Sequence, residues 1–386
     1  MRCDFCSRTT LDEAYTVPSS KMGATVMLCT YCGLVQSRFE KTTNPRGRGS
    51  LSSGADFGNV RYGKGFRTLQ HLRILDEHLD WSQIRSILDI GSNRGSFVEA
   101  VAARSDAKIC AVEPDALISP DYKNLPNVTL LTNKIERVDL TGQHFDLVYA
   151  SHTFEHLDSL RSVLASVAAA VPVGAYLLAE VPNLAYLATP DLVEEWFIDA
   201  HTLHFSRMIF RHYLAAYGWK ILYENNEEEK DVITVLAQFS GERAADIVAD
   251  SSTVADARTL LQAYGENQKR NVQKMRSIAR AIESFAPKRI ALWGAGRICN
   301  AVVEKGKLDL AHIDTLIDSY LPKYVPQLYG KRILLPEEAK LGEFEVIVLL
   351  TRNYADEIER EARRLGFTGD FLTYHVLWEN AVRSSL

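Results

Sequence analysis

The sequence predicts an α/β protein centred on a mainly parallel sheet with helices on both faces, preceded by a small cysteine-built module and followed by a second α/β unit. Three observations predict it. Strand-like apolar runs alternate with helical stretches from residue 86 to about 239, the pattern of a parallel sheet with crossover helices. Glycine turns follow apolar runs at two places, in Ile87-Leu88-Asp89-Ile90-Gly91-Ser92-Asn93-Arg94-Gly95-Ser96-Phe97 and in Leu292-Trp293-Gly294-Ala295-Gly296. Four of the six cysteines form two Cys-x-x-Cys pairs before residue 33.

A chain of 386 residues with 46% hydrophobic content can bury more than one core. We divide it into a four-cysteine module (1–40), a loop (41–64), a central unit (65–245), a helical linker (246–287) and a carboxyl-terminal unit (288–386). The net charge of −5 argues against nucleic acid as a partner, because phosphate neutralisation needs a basic surface. The local exception is 38–67, where Arg38, Lys41, Arg46, Arg48, Arg61, Lys64 and Arg67 outnumber Glu40 and Asp56; it reads as a solvated linker or as a loop meeting an anionic substrate. Residues 1–6 lack the apolar run of a secretion signal, and the most apolar stretch, 163–181, is broken by Pro172 and Gly174. The expectation is a cytoplasmic protein without a membrane partner, a monomer or weak dimer, whose cysteines stay reduced.

The first element is the module. Cys3, Cys6, Cys29 and Cys32 have the spacing of two knuckles joined by a hairpin, and four thiolates fill every position of a tetrahedral Zn2+. The zinc is therefore structural. An amphipathic helix over 65–79 leads into the central unit. There 87–90, 108–112, 128–131, 145–150 and 175–181 read as strands, with helices from Ser96 and from about Leu157. Ligands of such a sheet gather at the strand carboxyl ends. Gly91 and Gly95 remove Cβ atoms that would hold the backbone away from a ligand, and the following helix offers unpaired N–H groups. Glu113, at the end of the next apolar run, is placed to accept from a ribose diol. Asn133 and Ser151 lie past the ends of later strands and join Asp89, Gly91, Asn93, Gly95 and Glu113 as candidate cofactor contacts.

Apolar residues at helical spacing over 253–285 predict one or two connecting helices. The last unit opens at Arg289, continues through 312–318 and contains a strand at 344–351. Its Gly294-Ala295-Gly296 turn lacks the third glycine of the dinucleotide fingerprint, Cys299 standing there instead, so structural, nucleotide-binding and NAD readings all stay open.

The turn Asp89-x-Gly91-x3-Gly95 resembles motif I of class I S-adenosylmethionine (SAM) methyltransferases, where a carboxylate-bordered loop faces the methionine end of SAM. Together with the four cysteines, Glu180-Val181-Pro182-Asn183, Gly294-Ala295-Gly296, Ile317-Asp318 and Pro336-Glu337-Glu338, the chain resembles the zinc-containing nucleotide-diphosphate-sugar C-methyltransferases over nearly its whole length. The resemblance implies SAM as cosubstrate and a nucleotide-linked 4-keto sugar as acceptor, with a base removing the C3 proton and the enolate attacking the methyl group. It also implies that Tyr62 closes over the ligands. The family's catalytic stretch reads Tyr-His-Glu-His; here Ile198-Asp199-Ala200-His201 keeps the last histidine alone.

His201 is the candidate general base, since an imidazole titrates near neutral pH. His152 and Glu155, in Ser151-His152-Thr153-Phe154-Glu155-His156, follow the fourth strand and complete the candidate catalytic group with Tyr62; Glu155 and His156 are also read as the start of a helix. The expected activity is C-methylation of a nucleotide-linked sugar. O- or N-methylation of a related metabolite is the alternative, followed by an NAD-dependent enzyme or a non-catalytic SAM-binding protein.

Overall fold

The structure, a computed structural model, describes residues 1–41, 66–116, 122–125, 127–244, 249–323 and 325–383. Tyr62 and the basic residues Arg46, Arg48, Arg61 and Lys64 lie outside these described residues. The chain divides into two compact units: Met1–Asn44, Lys64–Ala188 and Phe197–Ala263 form one, and Thr189–Trp196 and Tyr264–Leu386 belong to the other. A single helix, Ser251–Glu283, occupies the stretch for which one or two were expected.

The first unit is built on a seven-stranded sheet. Its strands are β4 (Ser86–Ile90), β5 (Lys108–Val112), β6 (Val128–Leu131), β7 (Leu147–Ser151), β8 (Tyr176–Pro182), β10 (Trp219–Glu224) and β11 (Val232–Phe239), in the order β10-β11-β8-β7-β4-β5-β6. The five strands from β8 to β6 are parallel, whereas β11 runs antiparallel to both β8 and β10. Chain order reverses between β4 and β7, so a crevice opens at their carboxyl ends.

Alternation along these strands divides the core between two faces. Leu88, Ile90, Val148 and Ala150 pack with α3 (Leu160–Ala169) and α4 (Arg207–Ala216). Ile87, Leu147, Tyr149 and Leu178 pack instead with α1 (Phe66–His78) and α2 (Ser96–Ala102). By the same period of two, Asp89, Ser151 and Glu180 share the α1 side with Tyr149, giving that face a polar end. The helix expected from about Leu157 begins at Leu160, with the Ser159 hydroxyl accepting from the Ser162 N–H. Glu155 and His156 form a single 3-10 turn, Phe154–His156, in place of a helix start.

The cysteine module is a sheet of β1 (Leu11–Thr16), β2 (Ala24–Cys29), β3 (Val35–Phe39) and the short β9 (Leu203–His204). Because β9 comes from the far end of the first unit's sequence, the module is hydrogen-bonded into that unit. Cys3, Phe5, Cys29, Cys32 and Leu34 join the core on the α3 and α4 face.

The second unit has a six-stranded sheet ordered β14-β15-β13-β12-β16-β17, from Gln327–Leu328, Lys331–Leu334, Thr315–Ile317, Ile290–Trp293, Val346–Leu349 and Asp370–Thr373. All but the edge strand β14 are parallel. Gly294 has φ +106°, and a Cβ there would lie 2.9 Å from the Leu350 carbonyl oxygen, so this glycine serves close strand packing. Asp318 staples the same turn, one oxygen accepting from the Ala295 N–H and the other from those of Tyr320 and Leu321.

His204 shows what the β3–β9 seam costs in acid. It is 4% exposed with Nε2 2.8 Å from the Ser37 hydroxyl, and burial holds its pKa down at about 3 against an ordinary 6.5. A histidine kept neutral by folding stabilises fully above pH 6.5, and that contribution falls as pH drops toward 3, by about 1.4 kcal/mol per pH unit. His204→Gln should therefore flatten the pH dependence of urea unfolding between about pH 6 and 4; a slope equal to that of the unsubstituted protein would contradict the burial argument.

Candidate functional site

The glycine turn after β4 is held closed by the protein itself. Gly91, at φ +76°, would place a Cβ 2.1 Å from Thr153 Oγ1, and Gly95, at φ +74°, would place one 3.1 Å from the Tyr122 ring. Both glycines, expected to let a ligand approach, also make room for protein atoms, those of Thr153 and Tyr122. The Tyr122 hydroxyl lies 2.8 Å from both Ser92 Oγ and the Asn93 carbonyl. Glu113, expected at a ribose, accepts from the backbone N–H of Asn93 and of Asp115, each at 3.0 Å, and so clamps the turn to the end of β5. These bonds still leave carboxylate lone pairs for a diol. Asn133 is exposed, its side-chain oxygen accepting from the Lys134 N–H.

Asp89 is the unusual member. It is 1% exposed, and neither carboxylate oxygen has a hydrogen-bond partner. Burial, with Glu113 adding a like charge, pushes its carboxyl well above the usual range. A buried acid without a partner beside this turn is compensated by a cationic ligand, and the ammonium group of an amino-acid moiety has the required charge. Asp89, Gly91, Asn93, Gly95 and Glu113 together could therefore hold such a cofactor.

A second cluster begins one strand away, where β7 ends at Ser151. His152 follows with φ +50°, a left-handed conformation that a non-glycine residue adopts at a cost of order 1 kcal/mol and that concentrates at functional sites. Its Nε2 lies 3.1 Å from Glu180 Oε1 and its Nδ1 3.3 Å from Glu155 Oε1. Burial disfavours charge on this imidazole, but the two carboxylates outweigh burial and raise its pKa. Glu180 in turn accepts from His71 Nε2 at 3.0 Å and from the Thr234 hydroxyl at 2.9 Å, with Arg67 Nε at 3.5 Å. Burial opposes its ionisation, yet His152 and His71 hold the carboxyl well below the usual carboxylate range. On the far side of His71, Nδ1 meets the Tyr149 hydroxyl at 2.8 Å. The tautomer that donates to Glu180 and accepts from Tyr149 satisfies the whole chain.

The third group contains His201. The turn that carries it is fixed by the His201 N–H donating to the Ile198 carbonyl at 3.0 Å and the Thr202 N–H to the Glu155 carbonyl at 2.7 Å. It ends where the Ser206 hydroxyl caps α4. Glu155, His156 and His201 place potential ligand atoms within 4.8 Å of one another. The structure thus brings together His201, His152 and Glu155. Asp199 and Glu195, the acids close to Ala200 in sequence, have partners of their own, and Glu195 belongs to the second unit. Asp199 accepts from the Ser20 hydroxyl and the Lys21 and Met22 N–H groups, whereas Glu195 accepts from the Tyr264 hydroxyl. Sequence reading missed Glu180, His71, Arg67 and Tyr149 as site residues.

The four module cysteines also converge. All four Sγ atoms lie within 4.8 Å of one another, the closest pairs being Cys3–Cys32 at 3.5 Å and Cys6–Cys29 at 3.6 Å. The two knuckles are alike: Ser7 and Gly33, each four residues after a cysteine, both have positive φ and both donate to that cysteine's carbonyl at 2.9 Å. Proton sharing pulls the thiols apart, Cys3 and Cys32 rising above the ordinary value as Cys29 falls below it. Four cysteines converging at this spacing match the donor set of a tetrahedral metal site.

Residues 39–224 match the family described as a methyltransferase domain. Among solved structures the chain is similar to an S-adenosylmethionine-dependent methyltransferase from Mesorhizobium loti, at 12% identity over 46% of this chain and 99% of that one, with a TM-score of 0.38. One from Clostridium acetobutylicum gives 12% identity, 46% and 99% coverage and a TM-score of 0.36. The amino-terminal domain of EvdMO1, solved with S-adenosylhomocysteine bound, gives 16%, 45%, 80% and 0.35. No curated protein matches the chain.

Replacing the buried acid tests the turn. Asp89→Asn should leave the melting temperature of the ligand-free protein unchanged or higher, because it removes an uncompensated carboxyl, while weakening SAM binding about tenfold to a hundredfold. Calorimetry showing unchanged SAM affinity together with a lowered melting temperature would make Asp89 a purely structural residue.

Proposed function

We propose that the chain, whose residues 39–224 match a methyltransferase domain, uses SAM to methylate a nucleotide-linked sugar at a position that first loses a proton to the Glu155, His156 and His201 group. The observation that supports this most is the buried Glu155, whose Oε2 has no hydrogen-bond partner among the described residues and whose carboxylate stands beside the one histidine surviving from the resembled catalytic quartet. Bound SAM supplies an electrophilic methyl group on a sulfonium. Asp89 faces the cofactor's ammonium group, while the clamped glycine turn and Glu113 orient its nucleoside. The Glu180 network orients His152 beside the acceptor and favours its protonated form, which steadies negative charge developing on an oxygen. Glu155 pairs with the imidazoles that take the proton.

C-methylation next to a keto group is the first reading, because the order of motifs along the chain resembles enzymes of that kind. Methyl transfer to an oxygen or nitrogen is the second. It is favoured by Ala200 in place of the family's glutamate and by the engagement of Asp199 and Glu195 elsewhere.

We also infer that Cys3, Cys6, Cys29 and Cys32 hold one structural Zn2+, which crosslinks the amino terminus to the β2–β3 hairpin and takes no part in methyl transfer. Elemental analysis of metal-replete protein should find about one tightly held zinc per chain, lost in Cys29→Ser and Cys32→Ser together; zinc retained by that double variant would place the metal elsewhere.

His201→Ala should lower kcat about a hundredfold to ten-thousandfold with SAM affinity intact, as expected when proton removal is lost. Full activity in this variant would remove the residue from the reaction. Incubating a 4-keto nucleotide sugar with the enzyme in deuterated solvent separates the two readings. Exchange of the C3 proton is expected for C-methylation; methyl transfer without exchange would establish the heteroatom reading instead.

A further inference from the structure

Glu155, His156 and His201 form a donor set quite different from the four thiolates: one carboxylate and two imidazoles, each bringing a ligand atom within 4.8 Å of the others. The Glu155 side chain is 2% exposed, and its Oε1 faces two imidazoles, His152 Nδ1 at 3.3 Å and His156 Nε2 at 3.9 Å. Its other oxygen, Oε2, has no hydrogen-bond partner among the described residues, and a cation would engage it. The His156 ring is oriented for the same role. Its Nδ1 lies 2.7 Å from the Ala200 carbonyl, which can only accept, so Nδ1 carries the proton and the lone pair of the neutral ring is on Nε2, the nitrogen facing Glu155. A backbone carbonyl that fixes the tautomer of a histidine is the usual outer support of a metal ligand. The His201 ring meets the His156 ring edge-on, with centroids 4.7 Å apart, so the two imidazoles converge from different elements on Glu155.

We propose that Glu155, His156 and His201 bind one divalent transition-metal cation of the Mn2+ or Fe2+ type, which holds an oxygen of the methyl acceptor. Two imidazoles and one carboxylate suit such ions and leave coordination positions open to a substrate oxygen. This inference keeps from the proposed function only that the three residues face the acceptor, and it replaces the imidazole base: the cation makes the acceptor acidic. The acceptor's proton leaves to solvent, its electron pair forms the new bond to the methyl carbon, and the S–CH3 bond breaks with its electrons passing to sulfur, giving S-adenosylhomocysteine.

Full-length protein loaded with one equivalent of zinc, enough for the four cysteines alone, is titrated with Mn2+, and free Mn2+ is counted by electron paramagnetic resonance. One Mn2+ per chain is expected, with Glu155→Gln and His156→Ala each weakening its affinity at least about tenfold. Pulsed resonance on the unsubstituted protein should show nitrogen couplings from two imidazoles, a readout independent of whether the variants fold. No binding at millimolar Mn2+, binding without nitrogen couplings, or affinity unchanged in both variants would overturn the site. If the cation fails these tests and His201→Ala still abolishes turnover, proton removal by a free imidazole stands. Mn2+ bound with the expected couplings, alongside full turnover in His201→Ala, would keep the cation site and reject the proposed role of the three residues in the reaction.

Discussion

The site depends on one buried charge. Glu180 sits on β8 inside an otherwise apolar run, 4% exposed, and a carboxylate there is tolerated only if its oxygens are fully engaged. His71 reaches it from α1, Thr234 from β11 and His152 from the end of β7. Satisfying that single carboxylate therefore fixes the position of a helix, the neighbouring antiparallel strand and the left-handed residue His152 that begins the turn after β7. Breaking one partner of such a network leaves a charge uncompensated, at a cost of about 3–5 kcal/mol. The network accordingly constrains the fold and orients His152 at once.

The two polar clusters are connected through β4 and β7, which pair directly with Asp89 opposite Tyr149. Thr153 joins them again, its hydroxyl donating to the Ile90 carbonyl at 2.9 Å while its side chain fills the space beside Gly91. The residue that shapes the cofactor turn thus stands between the two candidate catalytic residues His152 and Glu155. Among the described residues no helix is long and apolar enough to cross a membrane.

Much of this was legible because it is local. The apolar runs, the glycine turns and the paired cysteines are written over a few consecutive residues, and they fall on β4, β12 and the knuckles. His152 and Glu155 were also legible, since residues after a central parallel strand face the ligand crevice. Glu180 and His71 were harder, because their meeting requires α1 to be laid across β8. A signal did exist: Glu180 is an acid at the period-two position of Leu178, and His71 interrupts the stripe that continues at Leu72 and Leu75. The second reason for Gly91 was not legible, on similar grounds. A sequence shows that a Cβ is missing, whereas the identity of the atom that needs the room, here Thr153 Oγ1, depends on a strand more than fifty positions away. The pairing of β9 with β3, which ties the cysteine module to the His201 turn, is likewise a long-range contact with no local signature.

The account's central claim is that the glycine turn after β4 and the histidine cluster after β7 are two halves of one site. Its most direct test is the histidine C2–H spectrum of the full-length protein on titration with S-adenosylhomocysteine. The account predicts that the resonances of His152 and His201 shift in step with cofactor saturation, while those of His312 and His375 in the second unit stay in place. Saturation that leaves His152 and His201 unmoved would separate the cofactor turn from the cluster and contradict the claim.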